Sequence, residues 1–194
     1  MMKIAVFASG SGSNFEAIAQ AVKQGEIQGE IAVLFCDKKE AFVLERGKMH
    51  GIPCISFSPK EFDSRRAYEE QIKEMLNVYD VDLIVMAGYM RIVGETLLQA
   101  YPNKIINLHP SLLPSFPGLH GIKDAFEYGV KITGITIHYI DAGVDTGPII
   151  AQATTEILPT DTLASVEEKI HQLEHYWYPK VLAEIMQKGV SFTC

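Results

Sequence analysis

Asn107 and His109 are the residue pair in this sequence best suited to chemistry on a carbonyl group. They stand two residues apart, Asn107 within the apolar segment 105–108 and His109 directly after it. In a β-strand that spacing puts both side chains on one face. An amide donor and an imidazole aimed at one point can hold and protonate the oxyanion of a tetrahedral intermediate. Taken alone, His109 is better explained as a packed residue that bonds the backbone. The pairing of His109 with Asn107 favours a catalytic role for both residues.

Asp145 is the candidate carboxylate for the same cluster. It lies in the segment Val144-Asp145-Thr146-Gly147-Pro148, a turn-rich stretch between two apolar runs. A carboxylate there could orient or charge the imidazole of His109. An ordinary turn residue is the alternative, and the sequence alone does not place Asp145 beside His109.

The glycine-rich loop at residues 9–14 is a candidate phosphate site. Ser-Gly-Ser-Gly-Ser-Asn follows an apolar run, and its backbone N–H groups, with the positive end of a following helix, can hold a phosphate. A plain tight turn is the alternative. Asn14-Phe15 stands where an ATP-binding loop needs Lys-Ser/Thr, and Phe15 replaces the third glycine of the dinucleotide fingerprint.

Three further matches are weaker. Asp37 could hold a ribose hydroxyl in a nicotinamide site, although a capping or surface role is favoured. His171-Gln-Leu-Glu174-His175 matches a zinc-protease pattern, but the sequence shows no third ligand after it. Asp145-Thr146-Gly147 matches the aspartic-protease triplet, which needs a second carboxylate from a matching lobe.

The elements that must position these residues follow an α/β pattern, in which short apolar runs alternate with helix-period segments. We therefore predict a single Rossmann-like domain over residues 1–194, with a mostly parallel sheet of about seven strands flanked by helices. In such a sheet ligands bind at the carboxyl ends of the strands, here in the loops after strands one, four, five and six. The predicted strands are 3–8, 30–36, 53–57, 81–87, 104–108, 132–139 and 149–155, and the predicted helices are 14–24, 41–50, 64–78, 94–100 and about 162–189. Residues 109–120, with three prolines, are predicted to form a mobile loop.

Composition excludes several classes of protein. The chain has 194 residues, 47% of them hydrophobic, and a net charge of −7, so global disorder and a broad basic nucleic-acid surface are both disfavoured. Three cysteines, Cys36, Cys54 and Cys194, form no zinc or disulfide pattern. The first apolar run is too short for a signal peptide or a membrane span. We expect a cytoplasmic protein that binds neither nucleic acid nor membrane.

Four separated motifs resemble the folate-dependent formyltransferases. They are the segments 7–14 (FASGSGSN), 87–91 (AGYMR), 106–114 (INLHPSLLP) and 144–148 (VDTGP). They occur in the order and spacing of that family, and the similarity runs from the first strand to the last helix.

The resemblance implies roles for individual residues. Asn107, His109 and Asp145 would be catalytic. The amides of Gly12, Ser13 and Asn14 would bind the acceptor's phosphate. The acceptor would also meet Glu174, and Arg65 is a further candidate for the phosphate. The folate donor would lie against Met90, Arg91, Ile92 and Val93, with contacts to Asn107 and Asp145.

Several neighbours of these residues remain open at the level of sequence. Arg65 is as well explained as an exposed arginine at a helix start, and Met90 and Ile92 as core residues. His120 would lie near the folate tail or on a flexible surface. Thr136 and His138 would face the site, with His138 as structural support. His171 stands where the family carries a lysine, and at neutral pH it is a weaker cation.

The resemblance further implies the reaction. We expect the formyl group of 10-formyltetrahydrofolate, a co-substrate, to be transferred to the amino group of 5′-phosphoribosylglycinamide in de novo purine biosynthesis. No metal is expected to take part. The enzyme would be a monomer or a homodimer. The first alternative is a related folate enzyme that formylates an amino-sugar nucleotide or hydrolyses formyl-folate, although relatives with other substrates usually carry an extra domain for which 194 residues leave no room. The second is a non-enzymatic sensor of nucleotide phosphates.

Overall fold

The sheet of the protein has seven strands in the order β3-β2-β1-β4-β5-β6-β7. The computed structural model of the protein describes residues 1–188. The strands are β1 (Met2–Ala8), β2 (Gly29–Cys36), β3 (Cys54–Ser56), β4 (Leu83–Met86), β5 (Ile105–His109), β6 (Ile132–Tyr139) and β7 (Ile149–Glu156). The first five strands are parallel to one another, and β6 pairs antiparallel with both of its neighbours, β5 and β7. The predicted mostly parallel α/β sheet is confirmed.

Helices cover both faces of this sheet. They are α1 (Ser13–Lys23), α2 (Val43–Met49), α3 (Arg65–Val78), α4 (Glu95–Ala100), α5 (Gly121–Tyr128) and α6 (Leu163–Lys188), with a short 3₁₀ turn at Pro59–Glu61. Helix α5, which the sequence did not predict, follows the proline-rich stretch and is capped at its C-terminus by Gly129 in the left-handed conformation, φ 84°. Gly189, the predicted end of the last helix, and Cys194 lie outside the described residues.

Strand β1 shows why the strands in the parallel part of the sheet have continuous apolar sequences. Its residues from Ile4 to Ala8 are fully buried. Ile4, Val6 and Ala8 belong to the apolar layer that contains α1 and α6, whereas Ala5 and Phe7 belong to the layer that contains α3 and α4. A strand covered on both faces has no polar side to alternate with.

Strand β6 runs antiparallel to β5, contrary to the expectation from the sequence. We assumed that the loop after it lies at the same edge as the loops after β1, β4 and β5, which holds only for parallel strands. Because β6 is antiparallel to β5, it pairs His138 with Asn107 and Thr136 with His109. The loop that carries Asp145 therefore reaches the site as the connection of a β6–β7 hairpin, and not as a crossover loop.

Two cysteines in the described region, Cys36 and Cys54, are free thiols. Burial raises the pKa of both, so neither is activated as a nucleophile. No helix within residues 1–188 combines the length and the hydropathy that crossing a membrane requires.

Candidate active site

The glycine-rich loop connects β1 to α1 and turns at Gly12. Gly12 adopts φ 77° and ψ 32° at the N-cap of α1, and a Cβ atom there would lie 2.3 Å from Cγ2 of Val43. Both the backbone conformation and the close approach of α2 therefore require glycine. In the described structure no side chain caps α1, so the first amides of the helix are available to an anion.

Glu174 approaches this loop from α6. Its Oε2 accepts a hydrogen bond of 3.0 Å from Nδ2 of Asn14 and lies 3.1 Å from Nδ1 of His171. Glu174 is 5% exposed, and Oδ1 of Asn14 is buried with no hydrogen-bond partner among the described residues. The predicted acceptor-side residues Asn14 and Glu174 thus lie together, with His171 beside them and the Oδ1 atom of Asn14 still without a hydrogen-bond donor among the described residues.

The ionisation of the two histidines on α6 differs. The hydrogen bond to Glu174 raises the pKa of His171, whereas burial lowers the pKa of His175. Their rings stack with centroids 6.2 Å apart. Within residues 1–188 no group of three or more histidine, cysteine or acidic side chains is arranged to hold a metal ion, so the zinc-protease pattern has no structural support in this region.

Asn107 is oriented by its cross-strand neighbour His138. Burial lowers the pKa of His138, which favours a neutral ring, and Nδ1 lies 2.9 Å from the carbonyl oxygen of Tyr139. That contact assigns the ring proton to Nδ1, so Nε2 accepts from Nδ2 of Asn107 at 3.2 Å. One N–H of the Asn107 amide is used in this bond, and the other is available to a ligand.

His109 is held at both ring nitrogens. Nε2 lies 2.8 Å from the carbonyl oxygen of Phe116, and Nδ1 lies 3.4 Å from Oδ2 of Asp145. Both nitrogens face oxygen atoms, an arrangement that an imidazolium ring satisfies by donating from each. Since Nε2 is committed to a backbone carbonyl, Nδ1 is the ring atom left for proton transfer.

Asp145 lies between the two histidines. Its Oδ1 is 3.7 Å from Nε2 of His138, and its Oδ2 accepts a hydrogen bond of 2.8 Å from the amide of Gly118. Asp145 has φ 55° and Phe116 has φ 54°, an uncommon conformation for residues other than glycine that is often found at functional sites. The structure therefore brings together the three predicted catalytic residues, and Asp145 is more than a turn residue.

A cavity of about 390 Å³ opens in front of this cluster. Its walls include Asn107, His109 and Asp145 together with Met90, Arg91, Ile92 and Val93. Met90 and Ile92 are each 64% exposed, so the core-packing alternative for them is wrong. This size and mostly apolar lining suit a small organic ligand.

Arg65 contacts the cavity wall. Its Nη2 donates a hydrogen bond of 2.6 Å to the carbonyl oxygen of Ile92, and its Nε lies 3.3 Å from Glu69. Among the described hydrogen bonds and ion pairs none joins Arg65 to residues 9–14. Arg65 is thus found on the side of Met90 to Val93, away from the contacts of the candidate phosphate loop.

Asp37 has neither of the roles considered for it in the sequence. It is 2% exposed, and its two carboxylate oxygens are bonded by Oγ of Ser9 and Nε of Arg91, both at 2.6 Å. The favoured capping or surface role is therefore wrong. Because both oxygens bind protein atoms, the carboxylate is also unsuited to a ribose hydroxyl.

Thr136 and His120 complete the set of predicted neighbours. Thr136 is fully buried and its Oγ1 donates a hydrogen bond of 2.7 Å to the carbonyl oxygen of Ser111 while accepting one from the amide of Leu113. It thereby fixes the start of the proline-rich loop. His120 is exposed at the start of α5, next to Leu119, which lines the cavity.

Residues 2–182 match the formyl transferase family. The chain belongs to this family. It is 53% identical to phosphoribosylglycinamide formyltransferase of Bacillus subtilis (strain 168), over 96% of this chain and 95% of that protein. It is 36% identical to the enzyme of the same name from Escherichia coli (strain K12), over 94% and 86% of the two chains.

Solved structures of family members have the same fold. The crystal structure of phosphoribosylglycinamide formyltransferase from Bacillus halodurans superposes with a TM-score of 0.94 and 50% identity, covering 96% of each chain. Glycinamide ribonucleotide transformylase 1 from Geobacillus kaustophilus gives a TM-score of 0.94 at 48% identity, over 96% of this chain and 99% of that one. The chain is thus an enzyme of the formyltransferase type with a Rossmann-like fold.

Proposed function

We propose that the protein transfers the formyl group of 10-formyltetrahydrofolate to the amino group of 5′-phosphoribosylglycinamide in de novo purine biosynthesis. The observation that carries the proposal is the convergence of Asn107, His109 and Asp145 on one cavity, in a chain whose relatives are named for this acceptor. The free thiols Cys36 and Cys54 agree with a reducing compartment such as the cytoplasm.

The two substrates would approach from opposite sides of the catalytic cluster. The acceptor's phosphate would bind the amides of Gly12, Ser13 and Asn14, with its glycinamide or ribose groups near Glu174. The folate donor would lie in the cavity against Met90 to Val93. The contact of Arg65 with Ile92 supports assigning Arg65 to the donor side, in place of the phosphate role expected from the sequence.

The chemistry is a direct acyl transfer. The neutral amine of the acceptor attacks the formyl carbon, and the carbonyl oxygen becomes an oxyanion that the free N–H of Asn107 and the Nδ1–H of protonated His109 stabilise. Asp145 accepts the proton that the amine loses. Cleavage of the bond between the formyl carbon and N10 then releases tetrahydrofolate, and His109 supplies the proton that N10 takes up.

Neighbouring groups prepare this step before substrates bind. The carbonyl of Phe116 and the neutral ring of His138 hold His109 and Asn107 in their donor orientations. Donors fixed in advance lose little reorganisation energy when the oxyanion forms. Binding both substrates in one cleft adds the advantage of proximity.

A spectroscopic assay of tetrahydrofolate formation tests the proposal. The enzyme is given 10-formyltetrahydrofolate with 5′-phosphoribosylglycinamide, with an amino-sugar nucleotide, or with water as the only acceptor. Product is expected with the first acceptor alone. Turnover with an amino-sugar nucleotide or with water would replace the proposal by a related transferase or hydrolase, and phosphate binding without any folate binding would indicate a sensor.

A further inference from the structure

The network around Asp37 joins three neighbouring strands at their carboxyl ends. Asp37 follows β2, Ser9 follows β1, and Met90 and Arg91 lie after β4, while the sheet order places β1 between β2 and β4. The network therefore connects the start of the glycine-rich loop to the wall of the donor cavity, two regions that the proposed function gives to different substrates.

Each contact of this network is directional. Oγ of Ser9 donates to Oδ1 of Asp37 at 2.6 Å and accepts from the amide of Met90 at 2.9 Å. Nε of Arg91 donates to Oδ2 of Asp37 at 2.6 Å. A buried carboxylate thus sets the direction of the Ser9 hydroxyl, and the hydroxyl in turn fixes the backbone of Met90.

This network holds the segment 90–93. Apart from the network, little else holds the first two residues of the segment in place. The side chain of Met90 is largely exposed and that of Arg91 is 41% exposed. Its far end is anchored separately, since Oε1 of the buried Glu69 accepts a hydrogen bond of 2.6 Å from the amide of Gly94. Loss of the Asp37 network would release the Met90–Arg91 end while the Gly94 end stays in place.

We propose that Asp37 is a positioning residue for the folate donor. It acts through Ser9 and Arg91 and holds residues 90–93 in the conformation that binds the donor, without touching either substrate. The inference rests on the proposed function for the nature of the ligand. It predicts an effect on donor affinity that exceeds the effect on the chemical step, because Asn107, His109 and Asp145 have no contact with Asp37 among the described interactions.

The test measures binding of tetrahydrofolate, the product form of the donor, by calorimetry, together with steady-state kinetics. Asp37→Ala removes both acceptor oxygens, and we expect the dissociation constant for tetrahydrofolate and the donor KM to rise about tenfold. The value of kcat at saturating donor should fall less than about threefold. Asp37→Asn can still accept from Arg91 and bond Ser9, so it should restore most of the affinity.

Asp80→Asn is the matched control. Asp80 forms an exposed ion pair with Lys3, which lies at the start of β1, at the opposite edge of the sheet from Ser9. This substitution also removes a carboxylate charge, and it should leave the donor KM unchanged.

A second variant keeps the test decisive if Asp37→Ala does not fold. Ser9→Ala retains the pair between Asp37 and Arg91 but removes the acceptor for the Met90 amide, and it should shift the donor KM in the same direction. Unchanged tetrahydrofolate affinity in folded Asp37→Ala or in Ser9→Ala would overturn the inference. A wild-type enzyme that does not bind tetrahydrofolate would instead overturn the proposed function, and the inference with it.

Discussion

The glycine-rich loop after β1 and the proposed catalytic cluster at the end of β5 are built by the chain in opposite ways. The loop consists of consecutive residues, and its proposed ligand groups are backbone amides at the start of α1. The cluster consists of side chains that are far apart in the sequence and meet only because β6 pairs antiparallel with β5 and the β6–β7 connection brings Asp145 to His109.

This difference predicts that substitutions in the loop and substitutions in the cluster have different consequences. Backbone amides at a helix start depend on local conformation, so changes in the loop should alter folding and acceptor binding together. Of the proposed catalytic residues, Asn107 and His109 stand on β5 and Asp145 stands on the β6–β7 connection, and other contacts hold each of them in place. Conservative changes there should lower the rate and leave the fold intact.

The largest expected effect comes from the catalytic cluster. Asn107→Ala removes an oxyanion donor and Asp145→Asn removes the proton acceptor, so kcat should fall about a hundredfold or more in either variant. Asn77→Ala, at an exposed position of α3, is the matched control and should leave kcat unchanged. Near-normal turnover in either variant would contradict the roles given to these residues.

An intermediate effect is expected in the loop. Gly12→Ala places a Cβ atom against Val43 and imposes a left-handed conformation on alanine, so the free energy of unfolding should fall by about 2 kcal/mol. The acceptor KM should rise as well. Chemical denaturation and steady-state kinetics measure the two quantities.

Gly10→Ala sharpens this test. A Cβ atom on Gly10 meets no atom within 4 Å, and its free energy of unfolding should change by no more than about 0.5 kcal/mol. Equal destabilisation by the two substitutions would show that the close approach of Val43 is not what makes glycine necessary at position 12.

The smallest effect is expected at His171. Its pKa is raised by Glu174, so the charged pair is complete below the ordinary histidine pKa and is lost as pH rises through the raised value. The acceptor KM should therefore increase about threefold between about pH 6 and pH 9, a modest change because the His171 side chain is 53% exposed and screened by solvent. His171→Lys should flatten this rise. A pH profile that is the same in both proteins would contradict it.

The same contrast explains what the sequence could and could not predict. The loop at 9–14 is local, so composition and the following helix sufficed to identify it, and the resemblance to a known family supplied Glu174. The contact between His109 and Asp145 depends on strand direction, which periodicity does not report. For that reason the antiparallel direction of β6 could not be predicted from the sequence.

Other functional groups were missed because they carry no side-chain signature. The carbonyl of Phe116 and the amide of Gly118 are backbone groups of the proline-rich stretch, and every residue type except proline offers both. Asp37 was misassigned because its partners Ser9 and Arg91 are distant in sequence. Its position directly after a buried strand, beside a loop that is rich in hydroxyl groups, was the available signal.

The hydrogen bond between His109 and the carbonyl oxygen of Phe116 distinguishes this site from a hydrolytic Ser-His-Asp triad. In such a triad the carboxylate sits behind the imidazole and sets its tautomer. Here an uncharged peptide carbonyl accepts the proton of Nε2, and the carboxylate of Asp145 faces Nδ1 on the other side of the ring. In the proposed mechanism the carboxylate of Asp145 thereby lies where the departing amine proton arrives, and no nucleophile of the protein is required.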